Sequence, residues 1–144
     1  MLNDLAKKIY QANVEKGFYE DNQEVIKFME SHGATKQMIE TVKKAVVGQR
    51  LMLITSEIAE ALEGNRKDRN AKIESKSYYD GLADNEMFNH EFEKYIKDTT
   101  EDEMADALIR ILDYAGAYGI DIDFHVKQKL RYNSLRPHKH GKTY

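Results

Sequence analysis

Two pairs of carboxylates stand three residues apart in apolar surroundings: Glu57-Ile-Ala-Glu60 and Glu103-Met-Ala-Asp106. Residues at i and i+3 share a helix face, about one turn apart. Leu53 lies four residues before Glu57 and Val46 eleven before it, so the first pair continues an apolar stripe. Like charges on a partly buried face repel one another and are costly to desolvate. A divalent cation held between two helices is the natural compensation. Cysteine is absent, and the donors are oxygens, which selects Mg²⁺ first and Mn²⁺ second. Zinc would want histidine or thiolate. A ferritin-like di-iron site would want Glu-x-x-His, and no histidine has a glutamate three residues before it. Ordinary structural roles compete for the same residues. Glu103 fits a capping box with Thr100, as Asp102 does with Thr99, Asp106 is placed to pair with Arg110, and Asp113 suits either an outer-shell residue or a plain helix aspartate.

A second constellation is basic. Lys129, Tyr132, Asn133 and Arg136 recur at helical spacing. A guanidinium fork, an ammonium and an amide on one face suit a polyphosphate. They also suit the C-terminal end of a helix, where cations complement the macrodipole. The net charge of −3 divides into −9 for residues 1–123 and +6 for residues 124–144. The body of the chain is acidic and its last segment basic. Phe18, Tyr19, Tyr78 and Tyr79 offer rings that would stack on a base or simply pack. His138 and His140 form a weak pair near the end.

The elements that position these residues read as helices. Leu2, Leu5, Ala6 and Ile9 mark an amphipathic first helix, and Val25, Ile26, Phe28 and Met29 a short second one ending near Gly33. Residues 36–63 contain no proline and give the longest helical pattern, about 40 Å at 1.5 Å per residue, unless Gly48 divides it. Thr35 is its expected N-cap, and Gly64 with Asn65 its C-cap. The run 51–54 is apolar all round and predicts burial on several sides. Residues 65–98 form a polar, weakly periodic insert of short helices or lid-like structure. Thr99 or Thr100 starts a helix through Leu112 and Ala115 that ends near 116–119. Asp121 or Asp123 caps a last helix to about Leu135, and Pro137 closes it. The expected fold is all-α, a single-domain helical bundle over residues 1–144.

Composition excludes other classes. With 1 proline and 8 glycines, the turn density of an all-β sandwich or barrel is missing. No stretch approaches the ~18 apolar residues of a membrane helix, and the N-terminus lacks a signal-peptide core. A pI near 6.0 argues against a nucleic-acid coat. The expected location is cytoplasmic, with no membrane association and no stable nucleic-acid partner.

The three motifs in order, Ser56-Glu-Ile-Ala-Glu-Ala-Leu, Asp102-Glu-Met-Ala-Asp-Ala-Leu and Lys129-Leu-Arg-Tyr-Asn-Ser-Leu-Arg-Pro, resemble those of the MazG-like all-α nucleoside triphosphate pyrophosphohydrolases. The ending His140-Gly-Lys is similar to endings in that family. The resemblance covers residues 38–63 and 100–142. It implies Mg²⁺-dependent hydrolysis between the α- and β-phosphates, releasing a nucleoside monophosphate and pyrophosphate. It also implies Glu57, Glu60, Glu103 and Asp106 as metal ligands, with Glu60 the carboxylate that orients the attacking water. Lys129, Asn133 and Arg136 would bind the substrate's phosphates, and the assembly would be a homodimer or homotetramer. The chain departs from the family in the 42 residues between Glu60 and Glu103, a longer connection than usual. The competing expectation is a non-enzymatic helical interaction module with solvated acidic pairs and a basic docking helix.

Overall fold

The computed structural model describes residues 1–137, in which there are seven helices and no strand. They are α1 (Leu2–Glu15), α2 (Glu20–Ser31), α3 (Lys36–Arg66), α4 (Lys76–Gly81), α5 (Glu86–Tyr95), α6 (Thr100–Ala117) and α7 (Ile122–Ser134). The all-α expectation holds. Among the described residues, no helix is long and apolar enough to cross a membrane. The chain forms two compact units, Phe28–Arg110 and the pair of segments Met1–Lys27 and Ile111 onwards.

In the unit Phe28–Arg110, α3 begins at Thr35, whose Oγ1 accepts from Met38 N at 3.3 Å. It then runs for 31 residues without a break, so Gly48 does not divide it. Nor do Gly64 and Asn65 end it. The helix continues to Arg66, and Asp68 turns the chain in the left-handed region at φ 51°. Gly64 stays inside the helix because the first turn of α6 lies against it: a Cβ there would stand 3.2 Å from Thr100 N. Gly64 meets Thr100 while Glu57 meets Arg110, so α3 and the first turns of α6 run in opposite directions. The run 51–54 departs from expectation. Leu51, Met52 and Leu53 are 45%, 64% and 40% exposed. An apolar circumference leads to burial only where neighbours exist on every side, and in the single chain these faces stay open.

The insert contains α4 and α5, capped by Ser75 and Asn85. Backbone bonds close its base: Thr100 N donates to Arg69 O at 3.0 Å, and Lys72 N to Tyr95 O at 3.0 Å. Asp98, left-handed at φ 58°, makes the exit turn into α6.

In the other unit, Ala6 of α1 packs with Leu112 and Ala115 of α6, flanked by Leu2, Ile9 and Ile122. Gly116 permits this approach, because a Cβ on it would fall 2.5 Å from Ala6 O. Asp121 caps α7 by accepting from Phe124 N at 3.0 Å. Asp123, the other expected cap, serves α1 instead. Its carboxylate accepts from Leu2 N and Asn3 N, both at 3.1 Å, and from the Met1 ammonium at 3.0 Å. Free amides at a helix start and a terminal cation make that end the better place for a carboxylate.

Candidate metal centre

The antiparallel pairing of α3 with α6 brings one carboxylate of α3 to two of α6. Glu57, Glu103 and Asp106 each present an oxygen within 4.8 Å of the others. Glu57 and Glu103 are buried, at 6% and 7% exposure, and Asp106 lies at the open side. Glu60 is one turn further along α3, exposed and outside this converging set. Its charge still acts on the cluster, raising the pKa of both Glu103 and Asp106.

Burial and mutual repulsion govern the electrostatics. Glu103 is pushed up to about 7, first by burial, then by the charge of Glu60 and a hydrogen bond shared with Glu57. Asp106 is raised by burial and by its acidic neighbours, with Arg110 opposing. Arg110 Nε donates to Glu57 Oε1 at 2.5 Å. This pair replaces the Asp106–Arg110 pairing that helical spacing suggests. It neutralises one buried carboxylate and leaves the Glu103–Asp106 side acidic. Arg110 was legible as a candidate by another spacing: it stands seven residues after Glu103, two turns along the same face.

The capping role expected for Glu103 falls elsewhere. Thr99, not Thr100, caps the start of α6, its Oγ1 accepting from Asp102 N at 3.3 Å. Asp102 reaches back to Asp98 N at 3.0 Å. Thr100 turns its hydroxyl away and donates to Arg69 O at 3.1 Å. Glu103 is therefore buried without being spent on the helix start. An oxygen-only donor set with two buried carboxylates, one of them holding its proton to near neutrality, fits a hard divalent cation.

Lys129, Asn133 and Arg136 lie on and just after α7, in the unit built around α1 and the end of α6. The Lys129 ammonium sits 5.3 Å and the Arg136 guanidinium 5.8 Å from the ring centre of Tyr132, so both cations lie near one exposed ring. Asn133 Oδ1 is shielded from solvent and takes no hydrogen bond among the described residues. Asp113 accepts from the Tyr19 hydroxyl at 2.8 Å, and the Tyr19 ring meets Tyr10 edge-on at 5.0 Å. Phe18 is exposed. His138, His140 and the ending His140-Gly-Lys lie outside the described residues.

Compared with protein-family models, with curated proteins and with solved structures, the chain matches none.

Proposed function

We propose that the chain is a MazG-like nucleoside triphosphate pyrophosphohydrolase, cleaving between the α- and β-phosphates to a nucleoside monophosphate and pyrophosphate. The observation that carries this reading is the convergence of Glu57, Glu103 and Asp106 within 4.8 Å, two of them buried and one poised near pH 7. Arg110 offsets the charge of Glu57, and a divalent cation would offset what remains on the Glu103–Asp106 side. Mg²⁺, or Mn²⁺, when bound there supplies charge neutralisation at the phosphate oxygens.

The chain's own residues divide the remaining work. Glu57, Glu103 and Asp106 hold the cation, and Arg110 fixes the Glu57 carboxylate in place. Glu60, exposed at the rim, orients the attacking water. The family resemblance offers Lys129 and Arg136 for gripping phosphates and Asn133 for orienting them. Phosphoryl chemistry needs positioning and charge rather than a covalent nucleophile, which accords with a chain lacking cysteine.

The test is turnover on a panel of nucleoside triphosphates with Mg²⁺, reading pyrophosphate against orthophosphate. The wild-type chain releases pyrophosphate and the nucleoside monophosphate, and Glu60→Gln loses at least about 100-fold in kcat with its melting unchanged, as expected for removal of a positioned base. Wild-type turnover by Glu60→Gln removes its catalytic role. Absence of pyrophosphate from every nucleotide in the wild type returns the chain to the interaction-module reading.

A further inference from the structure

The insert holds a cavity of about 480 Å³, lined by Lys72, Glu74, Ser75, Tyr78, Tyr79, Glu91 and Tyr95. Its size lies within the ~300–1,000 Å³ of small-molecule sites. The walls are built rather than incidental. The bond from Lys72 N to Tyr95 O joins the first wall to the last, and Ala71 N donates to Glu101 Oε2 at 2.9 Å, anchoring that edge to the first turn of α6. Ser75 caps α4 and so sets the direction in which Tyr78 and Tyr79 leave it. Glu91 and Tyr95 stand four residues apart on one face of α5.

The chemistry of the lining is selective. Tyr78 and Tyr79 meet at 82° with centroids 5.7 Å apart, which gives a flat ligand a floor and a wall. Tyr79 is half-buried, and burial followed by the Glu91 charge raises its pKa further above neutrality, so its phenol is a donor as well as a ring. Among the described residues, no ion pair or side-chain hydrogen bond occupies Lys72 Nζ, Glu74 or Glu91, so two carboxylate acceptors and one ammonium donor are left to a ligand. The excess of carboxylate repels a phosphate. It favours a planar group whose edge sets amine donors beside a ring-nitrogen or carbonyl acceptor.

We propose that this pocket binds a nucleobase bearing an exocyclic amine, with its ring on the tyrosines, its amine on Glu91 or Glu74 and its adjacent acceptor on Lys72. Adenine, cytosine and guanine present such an edge. Uracil sets two carbonyls around a single N–H, and its second carbonyl would face a carboxylate. The site stands on the insert alone, independent of the pyrophosphohydrolase reading. Where both hold, it selects the base.

Binding of free nucleosides to the full chain in metal-free buffer tests this without calling on hydrolysis. Saturation-transfer NMR with adenosine, cytidine, guanosine and uridine should show saturable contact for the amino-bearing nucleosides and at least about tenfold weaker contact for uridine, the scale of one unmatched hydrogen bond. Glu91→Gln should narrow that preference, and Tyr79→Leu should weaken all four, each variant melting like the wild type. Equal binding of uridine, or no nucleoside binding at millimolar concentration, overturns the proposal. So does a preference that survives both Glu91→Gln and Glu74→Gln, substitutions of exposed or half-exposed residues that leave the fold to stand.

Discussion

Glu103 concentrates the consequences of the acidic cluster in one side chain. Its folded pKa of about 7 lies above the ordinary 4.5, so between those values the folded chain binds a proton that the unfolded chain does not. The stability this proton confers is complete at low pH and is lost as pH rises through about 7. Without divalent cation, the difference in melting between wild type and Glu103→Gln should therefore widen from pH 5 to pH 8, the variant being the more stable at the alkaline end. Mg²⁺ competes with the same proton, so millimolar Mg²⁺ should raise the wild-type melting temperature more at pH 8 than at pH 6 and should do little for Glu103→Gln. Calorimetric melts at four pH values decide it; a wild type indifferent to Mg²⁺ throughout leaves the carboxylates without a cation to hold. Glu57 and the pair Glu103/Asp106 were legible in the sequence because helical spacing and apolar neighbours are local, whereas the same spacing offered Glu60, which stands outside the converging set. The partner of Arg110 was not. Spacing within α6 offers Asp106 four residues back, but packing against α3 offers buried Glu57, and a buried carboxylate gains more from a guanidinium than an exposed one.

At the scale of elements, helix starts were more legible than helix ends. Caps such as Thr35 and Asp121 act on amides two or three residues away, so the sequence carries the whole device. Gly64 and Gly116 look like stops, yet both sit inside helices where a neighbouring backbone comes close, and that neighbour is distant in sequence. The two sites differ in severity, and this gives a paired prediction. A Cβ at Gly116 would lie 2.5 Å from Ala6 O and 2.8 Å from Tyr10 Cβ, both hard to move. Gly116→Ala should cost about 1–3 kcal/mol of stability despite the better helix propensity of alanine. At Gly64 the nearest atoms are at 3.2 and 3.3 Å, on Thr100. There the propensity gain of roughly 1 kcal/mol offsets most of the crowding, and Gly64→Ala should stay within about 1 kcal/mol of wild type. Urea denaturation of the two variants checks the order; equal effects would mean that the α1–α6 approach is looser than described. The insert was the least legible element. Its polar composition gave no period, and its form depends on bonds such as Arg69–Thr100 and Lys72–Tyr95 that join residues far apart in the chain.

For the whole molecule, the apolar surface left open by a single chain is the governing quantity. Leu51, Ile58 and Leu62 recur at seven and four residues along α3 and are 45%, 46% and 51% exposed. Met104 and Leu108 form a similar half-exposed row on α6. Scattered exposed leucines are normal, but rows at helical spacing are the faces by which helices pack on one another. The burial expected for 51–54 does not occur in the single chain, where Leu51, Met52 and Leu53 are exposed. Under the pyrophosphohydrolase reading, further copies of the chain cover them, as a homodimer or homotetramer. Sedimentation of the wild type at micromolar concentration should then give a dimer or larger species. Ile58→Asp with Leu62→Asp should shift it to monomer, because two charges on a packed apolar row cost several kcal/mol to desolvate. Both positions are already solvent-exposed within the chain, so the helical circular dichroism signal of the variant should remain. A wild type that sediments as a monomer would separate the α3 row from self-association and leave it to a different partner.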